Sequence, residues 1–251
     1  MKYFTKAWYE LCQKTSYHLS LEEDGQAGTF SEEYFQQVYN NELNKWLTLQ
    51  EEVNALMRAE NYSNEPFNRD EAIEQFHNGF IHNKEVLQKE LPESILQQIA
   101  DIRVFALHKA TRDVINAVTQ FCEANKKAVK AASENYRKYI EEAEKVLDKE
   151  IVEIFSFHDC MVINSVKSDH SLKLYLDNSG GFTNINEVIF ENFHIIQQDG
   201  GPLEDSWWLY EEVYKVDDKY EFHVLLQHRT MGLIDFIISA ERIYFGKAPG
   251  G

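Results

Sequence analysis

The hydrophobic period of this chain changes once, near Glu150, from about 3.6 residues to two. A run of helices followed by a run of strands is the pattern of an α+β chain, each part burying its own apolar face. The period therefore predicts an N-terminal helical domain over residues 1–150. A small C-terminal antiparallel β domain follows at 151–245, as a sheet, roll or sandwich. Residues 246–251, ending in Ala248-Pro249-Gly250-Gly251, read as a flexible tail.

Within the helical part, Phe4, Ala7, Trp8, Leu11, Cys12 and Leu19 fall at helical spacing over residues 3–19. That places Cys12 on an apolar face as a buried, inert thiol. Thr29 with Glu32 forms a capping box that opens a helix over 31–59, striped by Tyr34, Val38, Trp46, Val53 and Leu56, with Leu49 and Met57 widening the stripe. Asn68 with Glu71 opens another, reaching about Glu90. Pro92 suits the first turn of a helix to about Leu107. The longest periodic run, from Lys109 to about Leu147, includes Val114, Val118, Phe121, Tyr136, Tyr139 and Ala143. A straight helix of about 40 residues would be about 60 Å long. Few turn residues follow it, so it is expected to run almost directly into the first strand.

From Glu150 onward, Val162, Asn164 and Val166 alternate with polar neighbours, as do Leu172, Leu174 and Leu176. Val188, Phe190, Asn192, His194 and Ile196 read as one strand face. The strongest strand signal is Asp205 to Gln227: two arms rich in aromatic and β-branched residues about the polar turn Val216-Asp217-Asp218-Lys219. Strict alternation sends Trp207, Leu209, Glu211 and Val213 to one face, and Trp208, Tyr210, Glu212 and Tyr214 to the other. One face must pack a core. The second is either covered by the helical part of the same chain or an acidic aromatic patch of the kind that binds cationic protein partners, formed by Asp205, Trp208, Tyr210, Glu212 and Tyr214. Leu233 to Phe245 supplies the last strand or strands.

Charge narrows the partners. The formal net charge is −17. Residues 1–150 hold 18 basic against 26 acidic side chains, and residues 151–251 hold 7 against 16, so the shorter part is the more acidic. Such a chain repels phosphate backbones and anionic lipid, which excludes sequence-independent nucleic-acid binding and membrane-surface roles. Cys12, Cys122 and Cys160 are odd in number and far apart, which fits a reducing compartment. The opening residues carry no continuous apolar core, and no stretch reaches 18 apolar residues, so a cytoplasmic protein is expected.

Signatures of catalysis are weak. Glu74 and His77 form a single E-x-x-H on a helix, where a di-iron bundle needs two, and His82 points elsewhere. Glu191 and His194 match by letter but sit in a strand. His158-Asp159-Cys160 could be read as cysteine–histidine chemistry, yet nothing supplies an oxyanion site. There is no glycine-rich phosphate loop, G-x-S-x-G, H-E-x-x-H or C-x-x-C. No cofactor or metal is called for.

Several runs carry a resemblance: Lys2 to Tyr9, Ala100 to Val104, Phe157 to Cys160, Asp177 to Thr183 and Ser206 to Glu212. Together they resemble a family of bacterial cytosolic proteins, mainly from low-GC Gram-positive species, labelled a domain of unknown function. The likeness spans nearly the whole chain and implies no activity. The β part is also loosely similar to small domains among toxin-immunity proteins. The expectation is a non-enzymatic, immunity-like protein-interaction module that uses the acidic aromatic β domain. The alternative is a hydrolase built on His158, Asp159 and His223, with or without a metal.

Overall fold

A computed structural model describes residues 1–60, 62 and 65–247. Along the chain run α1 (Lys6–Cys12), β1 (Glu22–Glu23), α2 (Glu32–Ala59), α3 (Arg69–Glu90), α4 (Glu93–Leu96) and α5 (Ile102–Ala106). Then come β2 (Lys109–Ala110), α6 (Arg112–Ala143) and α7 (Lys149–Ile154). Eight strands follow: β3 (Met161–Lys167), β4 (Ser171–Asp177), β5 (Glu187–Glu191), β6 (His194–Gln198), β7 (Ser206–Val216), β8 (Lys219–His228), β9 (Leu233–Ala240) and β10 (Arg242–Gly246). The α+β class is as the period predicts. Gly246 closes the last strand, and 248–251 of the expected tail lie outside the described residues.

Local chemistry explains where the helices depart from expectation. Thr29 is extended after a 3₁₀ turn, so the cap of α2 is Ser31, whose hydroxyl accepts the Tyr34 N–H at 3.2 Å. Asn68 caps α3 as expected. The helix read from Pro92 to Leu107 is two, because Asp101 forms a second N-cap within the apolar run: its carboxylate accepts the Arg103 N–H. Lys109-Ala110 is not helical but pairs in parallel with Glu22-Glu23, after a left-handed turn at His108. Helix α6 has 32 residues, about 48 Å. It does not run directly into a strand, since α7 and residues 155–160 intervene.

The chain divides into two compact units, residues 14–126 and residues 1–13 with 127–251. This division and the change of period near residue 150 are different boundaries. Periodicity reports local conformation, not which core a segment joins, so residues 1–13 and the second half of α6 share a unit with the strands. In the helical unit, Tyr34, Phe35 and Val38 pack with Val104 and Leu107, while Leu87, Ile95, Phe105, Val114, Val118 and Cys122 form a second cluster. The far half of the α2 stripe is not core: Leu49, Val53, Leu56 and Met57 are exposed. Cys122 is fully buried, whereas Cys12 is only half-buried, a correction to the burial expected there, although what burial it has pushes its thiol up.

In the β unit, strand order is β10-β5-β4-β3-β7-β8-β9-β6, every neighbour antiparallel. Each end strand of that order is continuous in the chain with the strand next to the opposite end. β5 bends into β6 at Asn192, whose backbone is left-handed, and β9 bends into β10 at Glu241. The bent strands pair along both halves, from Glu187↔Gly246 to Gln198↔Phe236, so the sheet closes into a roll. At the bend the Asn192 side-chain amide donates to the Glu241 carboxylate at 2.8 Å. Inside lie Val162, Leu174, Val188, Phe190, Trp208, Phe222, Val224, Ile234, Phe236 and Ile238, each fully buried. Phe155 and Phe157 pack against them. At Gly181 a Cβ would meet the Cys160 sulfur at 2.5 Å, so this close approach needs glycine.

Candidate functional site

Two bulges decide which side chains face outward. In β7 the register shifts between Trp208 and Tyr210, with Leu209 as the extra residue. A bulge inverts the alternation beyond it. Trp208 therefore points into the core together with Glu211 and Val213, while Tyr210, Glu212 and Tyr214 point out. Trp208 is thus removed from the patch read from the sequence: it is fully buried, and its indole N–H donates to the Glu211 carboxyl at 2.7 Å. A similar shift at Val162/Asn164 leaves Val162 inside and Val166 exposed.

The outer face of β7, β8 and β9 is built of cross-strand rows: Tyr210, Leu225 and Asp235; Glu212, His223 and Ile237; Tyr214, Glu221 and Ser239. Residues 2–8 lie on it. Glu212 is fully buried, and its carboxylate accepts three successive backbone N–H groups, from Lys2 at 2.8 Å, Tyr3 at 2.8 Å and Phe4 at 2.7 Å. The Tyr214 hydroxyl is a fourth donor. Burial and this bond to Glu212 push the Tyr214 phenol far above its ordinary range. Four donors satisfy a carboxylate that would otherwise be costly to bury.

Side chains of the docked segment meet matching groups. The Lys2 ammonium sits 4.3 Å from the centroid of the Tyr214 ring. Tyr3 packs on Tyr136 and Tyr139, and Phe4 on Tyr136, Tyr210 and Trp8. Lys6 pairs with Asp199 at 3.2 Å and Asp235 at 3.5 Å. Thr5 caps α1, and the Trp8 indole donates to the Val129 carbonyl at 3.2 Å. Sequence reasoning selected Tyr210, Glu212 and Tyr214 but missed Lys2, Tyr3, Phe4, Lys6, Asp199 and Asp235. The alternating basic and aromatic residues of Lys2 to Trp8 were the available signal. Asp205, the remaining residue of the patch, is exposed beside Arg229 at 3.6 Å.

The hydrolase residues are not assembled. His158 engages the Leu209 carbonyl through Nδ1, and its Nε2 lies 3.7 Å from Asp159. His223 is bound to Glu221 at 2.6 Å, and burial lowers its basicity. The rings of His158 and His223 stand beside Tyr210 and Tyr214 respectively, four residues apart on one strand or about 13 Å. Cys160 is fully buried and pushed up to about 11 by burial, so its thiol holds its proton. His77 contacts the Tyr39 hydroxyl at 3.1 Å. Among the described residues no cluster of three or more His, Cys, Asp or Glu could hold a metal. Nor is any described helix long and apolar enough to cross a membrane.

Glu211 is a carboxyl that faces inward. The Glu211 side chain is enclosed although the residue keeps some exposure, and burial raises its carboxyl to about 7, against the Trp208 indole and Phe157 N–H donors. A carboxyl raised on folding stays protonated where the unfolded chain has already ionised. Its stabilisation is complete below the unfolded value of 4.5 and is lost as pH rises through about 7. The expected loss is about 2–3 kcal/mol between pH 4.5 and 7.5, read from urea midpoints across pH. Glu211→Gln should flatten that step relative to the parent and be the more stable protein at pH 8.

No curated protein and no solved structure matches the chain. A family model does, over residues 29–234, and its description is Protein of unknown function (DUF4085). The matched span contains Tyr210, Glu212 and Tyr214 and begins beyond the segment that docks on them.

Proposed function

This chain belongs to the DUF4085 family, and on that premise we propose that it is a non-enzymatic interaction protein. It binds a cationic, aromatic segment of another protein on the outer face of its β unit. The observation that carries the reading is the docked segment itself. Lys2 to Lys6 is a bent basic-aromatic segment leading into α1, and the face meets it with a buried carboxylate for its backbone, aromatic rings for its side chains and acids for its lysines. The net charge of −17 favours cationic partners over anionic ones and speeds their encounter. The groups that hydrolysis would need have structural partners instead: His158 at the Leu209 carbonyl, His223 at Glu221.

A labelled peptide copying residues 1–13, titrated into the full chain, tests this. It should bind in the micromolar range, and replacing its Lys2 and Lys6 by Glu should weaken it at least about tenfold. Added salt should weaken the basic peptide and not its acidic twin. Equal binding of the two peptides contradicts the reading. So does a divalent metal held in stoichiometric amount by the purified protein, which favours the hydrolase.

A further inference from the structure

We infer that residues 2–4 are a displaceable occupant of this face, holding it closed until a partner's basic-aromatic segment, bent in the same way, takes their place. The inference rests on the binding reading above and concerns how that site is regulated. Three features support it.

Recognition at Glu212 is of backbone. It takes three consecutive N–H groups, made to converge by the bends at Tyr3 and Phe4, and reads no side chain, so any segment that turns in the same way offers it the same donors. Selectivity comes from the flanking positions: a cation over Tyr214, rings against Tyr136, Tyr139 and Tyr210, and a second cation between Asp199 and Asp235. The charge and spacing of a competing segment are therefore set by the face.

The occupant is held by less than what it covers. Residues 1–5 have no regular secondary structure; Lys2 is exposed, Met1 and Tyr3 are only half-buried, and Phe4 alone of the three docked residues is buried. The strands beneath pair over ten residues on β7 with β8 and eight on β8 with β9, so local opening of the segment need not disturb them.

The vacated state cannot stay dry. Glu212 and Tyr214 are buried beneath the segment, and on its departure a carboxylate with no donors must take up water or another set of N–H groups. A partner segment supplies that set. The tether keeps residues 2–4 at high effective concentration, so they act as a built-in competitor that sets a threshold for partner binding.

The test uses the full chain and Phe4→Ala, which weakens the occupant and leaves the face intact. Native-state hydrogen exchange should show the Lys2, Tyr3 and Phe4 amides at least about 100-fold less protected than the β7–β8 ladder. The peptide copying residues 1–13, without label and carrying Leu11→Ala to mark it by mass, should bind Phe4→Ala about tenfold more tightly than the parent. At saturation it should expose the chain's own residues 2–4 to exchange. If the peptide binds both proteins equally and the three amides stay protected, the peptide docks elsewhere; displacement is then wrong while the binding reading stands. If it binds neither protein, both fall. If the three amides exchange only with global unfolding, the segment is a fixed part of the core and the inference is overturned.

Discussion

Trp208→Ala is expected to lower the stability of the β unit by about 3–5 kcal/mol, enough to unfold it near room temperature, while Trp207→Ala costs about 1 kcal/mol or less. The two residues are adjacent, so the contrast isolates environment from chemistry. Trp208 is fully buried, with ring centroids 5.9 Å from Phe155 and 5.2 Å from Phe157, and lies across the ladder from Leu226. Its removal leaves a cavity at the centre of the roll, where few side chains can collapse into it. It also takes the indole donor from the enclosed Glu211 carboxyl. Trp207 is half-buried opposite Gln227. Urea unfolding followed by far-ultraviolet circular dichroism separates the variants. Similar midpoints for both would mean that the interior of the roll is not where the bulge places it.

The β hairpin, its turn and the α+β order were legible because each depends on local pattern. Aromatic and β-branched arms about Asp217-Asp218 leave few alternatives, and β7 and β8 meet there. The facing of Trp208 was not legible. Leu209 is as apolar as its neighbours, and nothing in its identity says that it is an extra residue rather than a paired one. The bulge separates Trp208 from Tyr210, Glu212 and Tyr214, turning it from an outward anchor into the core's largest member. Asn192 is a comparable case: its left-handed backbone bends a continuous apolar run into β5 and β6. Asp101 shows the same limit in helices, since a capping aspartate within a periodic stretch looks like one more polar position.

The chemistry of the outward face was more visible than its occupant. Acid among aromatics indicated a cationic segment, and residues 2–6 are one. The pairing joins positions about 210 apart in the chain, and no short-range pattern carries that information. The apolar spacing of Phe4, Ala7, Trp8 and Leu11 points to a helix, whereas Phe4 lies before it, in the bent segment that Glu212 binds.

Glu212→Gln is expected to cost about 3 kcal/mol, with the loss concentrated in the docking of residues 1–5. In the parent, one carboxylate oxygen accepts the Tyr3 and Phe4 N–H groups, and the other accepts Lys2 N–H and the Tyr214 hydroxyl. A glutamine keeps one acceptor oxygen. Its NH₂ must face at least one backbone N–H, donor against donor, and the charge that strengthened all four bonds is gone. The loss has a ceiling. Once residues 1–5 release, their amides and the carboxamide both hydrate, so the cost stops at the free energy of docking. Glu212→Ala should therefore cost nearly the same as Glu212→Gln, and adding Phe4→Ala to either should change stability by less than about 0.5 kcal/mol. Tyr214→Phe removes a single donor and should cost only about 1 kcal/mol. The cycle is read from urea midpoints, with exchange at the Lys2, Tyr3 and Phe4 amides as a local monitor. Full additivity of Phe4→Ala and Glu212→Gln would show that the ring and the backbone of the segment are held independently, and that it does not leave the face as one piece.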